Sequence, residues 1–305
     1  MGNINNGISK TINKWGDSMV QGAGGDGMNV TVHLLGFLPT ERVINQYGIG
    51  GQTSTQIATR FGAIPCYVTA TGGAFSTVGV PVTLSNMSSY FLRTAADNTS
   101  RYASGTLLTT QGNVAVKQRC IIFRSATGTA PSQVEVDTIA LAANYFGANA
   151  TIAPDSIFIP DAGLNAVDDI NTFWMGRNDP DKTKILASIV ACVNYLANPK
   201  RFLVFGVLPN NLETTGTPAR AEVDAHNTSL KNLYPDNYIQ MTPPTTEEMA
   251  FIKYTPTSDD LTDIANGIFP RGMKPTGDIT HLNGIGYKII ALREYRKFVQ
   301  FGWDR

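Results

Sequence analysis

Between residues 63 and 156 the chain changes its hydrophobic period, and that break restricts the folds open to it more than any other feature. Before the break, short strands at 11–15 and 42–46 alternate with segments of helical spacing at 28–38 and 54–61. Thr53 or Ser54 can cap the second of these helices. After the break the same rhythm returns, with a strand at 171–175 and a helix over 182–196 whose stripe is Ile185, Ile189, Cys192, Val193 and Leu196. A nearly unbroken apolar run over 201–208 ends at Pro209, as a strand buried on both faces should. A polar helix over 219–233, a strand at 238–241 and a closing helix over 286–301 complete the series. Alternating strands and helices predict a parallel sheet of five strands with covering helices. Inside the break only nine side chains are charged, and Thr, Ser, Gly, Val and aromatic residues dominate. There Val114, Val116, Gln118, Cys120 and Ile122 alternate with Ala115, Lys117, Arg119, Ile121 and Phe123. Val134 and Val136 alternate in the same way with Gln133, Glu135 and Asp137. Period-two strands between Gly, Asn, Pro and Ser turns predict a β-sandwich or jelly-roll. The expected organisation is therefore a discontinuous α/β domain, 1–62 and 158–305, interrupted by a β-rich domain over 63–157.

Charge excludes several classes of partner. Lys plus Arg and Asp plus Glu are both 24, and no basic run could track phosphates or an anionic bilayer, so neither nucleic acid nor membrane is expected. Charged residues make up only 16% of the chain, leaving a polar, weakly charged surface of the kind common in β-rich extracellular or virion proteins. No apolar run reaches the ~18–20 residues of a membrane span. Met1-Gly2-Asn3-Ile4 has no signal-peptide character, which leaves the cytoplasm, or a virion released by lysis, as the expected location. Cys66, Cys120 and Cys192 have no metal-ligand spacing and form no even framework, so buried free thiols are expected. Gly22-Ala23-Gly24-Gly25-Asp26-Gly27 breaks the spacing of a phosphate-cradling loop. The acidic groups Asp168-Asp169 and Asp179-Pro180-Asp181 have no accompanying histidine, so no cofactor and no metal are expected.

Chemistry concentrates in a few short blocks, in a fixed order. Gly16-Asp17-Ser18 follows the first strand, and Asn45-Gln46-Tyr47-Gly48-Ile49-Gly50-Gly51-Gln52-Thr53 follows the second. Gly176-Arg177-Asn178-Asp179 and Asp278-Ile279-Thr280-His281 come later. A serine hydroxyl becomes a nucleophile only beside a base. His281 is one of only three histidines, and Asp278 three residues upstream can hold its Nδ1 proton so that Nε2 faces Ser18. His33, in an apolar helix, reads as a satisfied core or surface histidine, and His226, on a polar helix, as solvent-exposed. Asp17 and Asp179 read as loop ties that accept backbone hydrogen bonds.

Taken together, the blocks resemble those of the SGNH (GDSL-type) hydrolases over roughly residues 11–62 and 157–296. The resemblance implies a flavodoxin-like, three-layer α/β/α core and a serine esterase in which Ser18 attacks, His281 is the base and Asp278 orients it. It implies oxyanion donors at the Ser18 and Gly51 backbone N–H groups and the Asn178 amide; Gly48 and Gly50 lie close by, and Gly51 is favoured because it precedes Gln52-Thr53. Members of that family act on lipid esters, thioesters and acetylated sugars. A polar, weakly charged chain with an inserted β-domain favours carbohydrate O-acetyl groups, with an acetylated oligo- or polysaccharide as partner and the oligomeric state open. Two other readings compete: a glycan-binding or adhesin module of a phage tail or cell surface, with hydrolysis secondary, and a lipase or thioesterase. Tyr67, Phe75, Tyr90 and Tyr102 are available to stack on a sugar ring, against the alternative that they fill the core of the β-domain.

Overall fold

Five short strands pair in parallel because each is joined to the next through a crossover that carries at least one helix. The computed structural model describes residues 9–74, 82–92, 101–111, 114–124, 139–143 and 151–305. The chain begins with β1 (Thr11–Gly16), α1 (Ser18–Gln21), α2 (Val30–Leu35), β2 (Val43–Gly48) and α3 (Ser54–Phe61). A run of strands follows: β3 (Cys66–Ala70), β4 (Val82–Met87), β5 (Arg101–Gln111), β6 (Val114–Arg124), β7 (Ile139–Ala143) and β8 (Ser156–Pro160). After the short α4 (Asp161–Leu164) come β9 (Ile170–Trp174), α5 (Lys182–Tyr195), β10 (Phe202–Phe205), α6 (Pro218–Leu233) and β11 (Tyr238–Ile239). The last helices are α7 (Thr246–Phe251), α8 (Ser258–Ala265) and α9 (Gly284–Phe301).

The parallel sheet has the order β2-β1-β9-β10-β11. Strand order reverses at β1, and in open α/β sheets ligands bind beyond the carboxyl ends of the strands at such a switch point. Register brings those ends level there: Gly16 lies opposite both Gly48 of β2 and Trp174 of β9. One face carries Ile12, Ile170, Leu203, Phe205 and Ile239 into a core shared with Val30 and Leu34 of α2 and Tyr287, Ile290 and Phe298 of α9. On the other face Phe202 meets Tyr234, the residue that ends α6, edge to face with centroids 5.2 Å apart. Ile185 of α5 sits against Gly176 just beyond β9. The result is a three-layer α/β/α core. A polar ladder crosses that second face, with Asn45 donating to Asn13, Asn13 to Asp169, and the Trp15 indole to Asn171.

Lys14 sits in the middle of the central strand and points into the apolar α2–α9 face. Its ammonium is 1% exposed and donates to both carboxylate oxygens of Glu294 on α9, at 2.5 Å, with the carboxylate at 0%. Burial pulls the Lys14 ammonium below its ordinary range, while the Glu294 carboxylate opposes that shift. Burial pushes Glu294 up against the attraction of Lys14. The neighbouring Arg293 makes a second buried pair with Glu248 of α7, at 2.7 Å, and donates to the carbonyls of Gln240, Thr242 and Pro243.

The insertion is described as a unit of its own, because the chain separates into two compact bodies. One holds the parallel sheet and is formed by the chain up to Thr53, Asp168–Ile189 and Ala197–Arg305; the other is Ser54–Val167 with Val190–Leu196. In the second body the strands close into an antiparallel barrel of order β3-β4-β7-β6-β5-β8. The expected sandwich or jelly-roll is corrected here. β8 pairs with both β5 and β3, so the sheet closes on itself and leaves no edge. Val68, Leu84, Leu107, Cys120, Ile122 and Phe158 fill the interior. Gln118, Cys120 and Ile122 point inward as their alternation requires. The strand expected around Val134 and Val136 lies outside the described residues. All three cysteines are buried free thiols, and burial pushes Cys66 up to about 11 and Cys120 up to about 12.

Removing one charge of the Lys14–Glu294 pair strands the other in an apolar layer. Lys14→Met should therefore cost about 3–5 kcal/mol of unfolding free energy. The double variant Lys14→Met/Glu294→Leu should recover most of that loss. Urea midpoints with unchanged slopes would check this, and a double variant as unstable as the single one would show that lost packing, not the stranded charge, carries the effect.

Candidate functional site

Ser18 opens α1 one residue after the central strand leaves the sheet. Asp17 caps that helix: its side chain accepts the Met19 N–H at 2.9 Å while its own backbone lies outside the helical region. His281 reaches the same edge from the loop before α9, which is staked at its end by Asn283. The Asn283 side chain accepts the N–H groups of Ile285 and Gly286 and donates to the carbonyls of Gly272 and Lys274. Within the loop, one Asp278 oxygen accepts the backbone N–H groups of Thr280 (2.7 Å) and His281 (2.9 Å). The other lies 2.7 Å from His281 Nδ1, and His281 Nε2 lies 2.9 Å from the Ser18 hydroxyl. A carboxylate at Nδ1 makes that nitrogen the donor, so Nε2 is left to accept from Ser18. Burial alone would raise the Asp278 carboxyl; the backbone donors of His281 and Thr280 and the imidazole outweigh it and hold it below the usual range.

The close approach of the Ser18 and His281 loops depends on Gly24. A Cβ there would lie 2.9 Å from the Leu282 carbonyl and 3.2 Å from the His281 Cβ, at a φ of +82°. The Tyr287 hydroxyl donates to the Ala23 carbonyl at 2.8 Å and holds the same loop against α9.

The second and third blocks are joined to each other and to α1. Ile49 N–H donates to the Gly16 carbonyl (3.1 Å), and Gly50 N–H donates to the Gln21 side chain on α1 (2.8 Å). Gly51 turns the loop at a φ of +76°, which L side chains rarely adopt. The Asn178 amide donates to the Gln52 carbonyl at 3.0 Å, tying the loop after β9 to the Gly51 loop. Arg177 beside it forms a bidentate pair with Glu213 and donates to the Leu208 carbonyl. The structure thus links Ser18, His281 and Asp278 directly, and Gly51 to Asn178 through Gln52.

The other histidines and acidic groups stand outside that series. His33 is half-buried with Nε2 2.8 Å from the Gly284 carbonyl. His226 is corrected: it is 6% exposed rather than solvated, because it shares the inward face of α6 with Val223 and Leu230. Burial, helped by Lys182, pulls its imidazole down to about 4. Asp169 accepts from Ser9 and Asn13, and Asp181 accepts the N–H and hydroxyl of Thr183 at the start of α5. Among the described residues no three His, Cys, Asp or Glu side chains could hold a metal ion, and no helix is long and apolar enough to cross a membrane.

Sequence comparison finds the tail spike protein of Salmonella phage epsilon15, 28% identical over 237 residues. The match takes in 76% of this chain and 21% of that protein, so the chain spans about a fifth of its relative's length. No family model matches the chain. These findings correct two expectations. Membership of the SGNH (GDSL-type) hydrolases does not stand, since no model of that or any other family matches. The reading of the chain as a dedicated carboxylic-ester hydrolase, a carbohydrate O-acetylesterase, falls with it, because the similarity found is to a tail spike protein.

Asp17 is the most perturbed acid near the site. It is 1% exposed, one carboxylate oxygen has no hydrogen-bond partner, and burial, with the charge of Asp179 adding to it, raises its pKa to about 6. The folded state therefore holds this proton more tightly than the unfolded chain, and stability should fall as pH rises from about 4 to about 6. Asp17→Asn keeps the acceptor for Met19 and removes the buried charge. We expect it to be more stable than the parent by about 1–3 kcal/mol at pH 8, with the gap closing at pH 3.5. Unfolding at the two pH values checks this, and a gap independent of pH would mean that the charge is not its source.

Proposed function

We propose that this chain is a glycan-binding module of a phage tail spike and belongs to a virion. The observation that carries the reading is the similarity to a tail spike protein over 76% of the chain. The barrel supports it. Tyr67, Tyr90 and Tyr102 are 44%, 38% and 74% exposed, so they do not fill the interior as the competing expectation held; Phe75 lies outside the described residues. Exposed tyrosines on a surface poor in charge suit the stacking of sugar rings and hydrogen bonding to their hydroxyls. In this reading residues 63–157 work as a glycan-binding domain and the partner is a bacterial surface polysaccharide.

A second activity is favoured by one observation, the hydrogen-bonded series Ser18–His281–Asp278. In it the module turns over ester groups on the glycan it holds, as an activity secondary to binding. His281 takes the Ser18 proton as the hydroxyl attacks an acyl carbonyl, Asp278 holds the imidazole tautomer, and the alcohol leaves with the proton from His281. Water then discharges the acyl group. The Ser18 and Gly51 N–H groups and the Asn178 amide are the proposed donors to the oxyanion, each worth about 10²–10³-fold in rate.

Binding and turnover separate cleanly by mutation. Tyr67→Ala/Tyr102→Ala should weaken capture of a bacterial surface polysaccharide at least tenfold in a pull-down or calorimetric titration. Ser18→Ala should bind as the parent does while losing essentially all hydrolysis of an aryl acetate. A Ser18→Ala protein that keeps aryl-acetate turnover would remove Ser18 from the site, and a parent protein that binds no polysaccharide would end the glycan reading.

A further inference from the structure

A cavity of about 600 Å³ opens between the first turns of α5 and the middle of α6. It falls within the size range of small-molecule sites, about 300–1,000 Å³. Glu222, Ala225, His226 and Ser229 line it from one face of α6, at the i, i+3, i+4, i+7 spacing, and Lys182 and Leu186 face them from α5. We propose that this cavity is a saccharide subsite for an uncharged sugar residue, an inference that rests on the glycan-binding reading.

Its lining has the two surfaces a sugar needs. Leu186, Ala225 and Pro180 offer apolar contact for the C–H face of a ring. Asp181, Glu222 and Lys182 offer acceptors and a donor for its hydroxyls. Two carboxylates against one ammonium disfavour an anionic ligand, which argues for a neutral sugar over a phosphate or a uronic acid. His226 places an imidazole in the wall beside these groups. It lies in the cavity wall at 6% exposure, and its Nε2 finds no hydrogen-bond partner among the described residues. Its ring is therefore a reporter of occupancy, because a sugar against this wall changes the surroundings of the imidazole.

The subsite adjoins the candidate site along the chain. Pro180, on its rim, follows Asn178 by two residues, a reach of at most ~7 Å. Lys182 donates to the Asp179 carbonyl at 3.0 Å, which ties the cavity wall to the segment that carries Asn178. A sugar held here would bring its neighbours on the same polysaccharide toward Ser18.

The three histidines make a direct test practical, since each imidazole can be assigned by substitution. The full chain is titrated with a panel of bacterial O-polysaccharides and their neutral monosaccharides while the imidazole nitrogen signals are followed. We expect the His226 signal to move on saturation. Ala225→Trp, which fills the cavity from an exposed position, should abolish that shift and weaken polysaccharide binding at least tenfold. Glu222→Gln, a change too small to threaten the fold, should weaken it about three- to tenfold. Polysaccharide binding with an unmoved His226 signal, or binding by both variants equal to the parent's, would overturn the subsite and leave the glycan reading standing. No binding by the parent to any member of the panel would overturn both.

Discussion

An ammonium and a carboxylate shut away from water, Lys14 on the central strand and Glu294 on the last helix, fix where everything at the carboxyl edge of the sheet can be. Neither charge has another place to go: the layer around them is Ile12, Leu203, Phe205 and Ile290, and a lone charge there would be prohibitively costly. The pair therefore acts less as a source of stability than as a registration peg between β1 and α9. Ser18 stands four residues beyond Lys14, and His281 three residues before the first turn of α9. Holding the strand and the helix in one relative position holds those two side chains within a hydrogen bond of each other, although they are 263 residues apart in sequence.

Around that peg, the site is assembled from loops that have little structure of their own. The Ser18, Gly51 and Asn178 loops leave three adjacent strands at the same level, because the parallel register sets Gly16 against Gly48 and Trp174. Hydrogen bonds then tie each loop to the next: Gly50 to Gln21, Asn178 to Gln52, His281 to Ser18. A cluster of this kind is compatible with acyl transfer and with simple binding alike. Binding is proposed first on the similarity to a tail spike protein. The exposed tyrosines of the barrel form the proposed glycan surface and the α5–α6 cavity the proposed subsite, each within its own body.

Legibility varied with how local the physics was. The parallel strands and α5, α6 and α9 could be read from period and punctuation, since the apolar stripe of a helix is a property of neighbouring residues. The pairing of Asp278 with His281 was equally local, being a three-residue loop contact. Less was drawn from 242–265, where Thr245 with Glu248 and Thr257 with Asp260 form capping boxes that start α7 and α8. That signal was present in the residues and lies outside any hydrophobic period, which is why a reading built on periodicity passes over it.

What the sequence determined by itself was the kind of most elements and the side chains of the candidate site, because both depend on residue chemistry and spacing along one stretch of chain. The tertiary structure decided everything that depends on which distant stretch comes alongside. Period-two alternation in β5 and β6 serves a sandwich and a barrel equally; only the pairing of β8 with both β3 and β5 closes the sheet. His226 looks solvated on a polar helix and is buried, because burial is set by what packs on a face and not by the residues that make it. The same holds for Tyr67 and Tyr102, whose aromatic rings would suit a core as well as a surface and which strand parity turned outward.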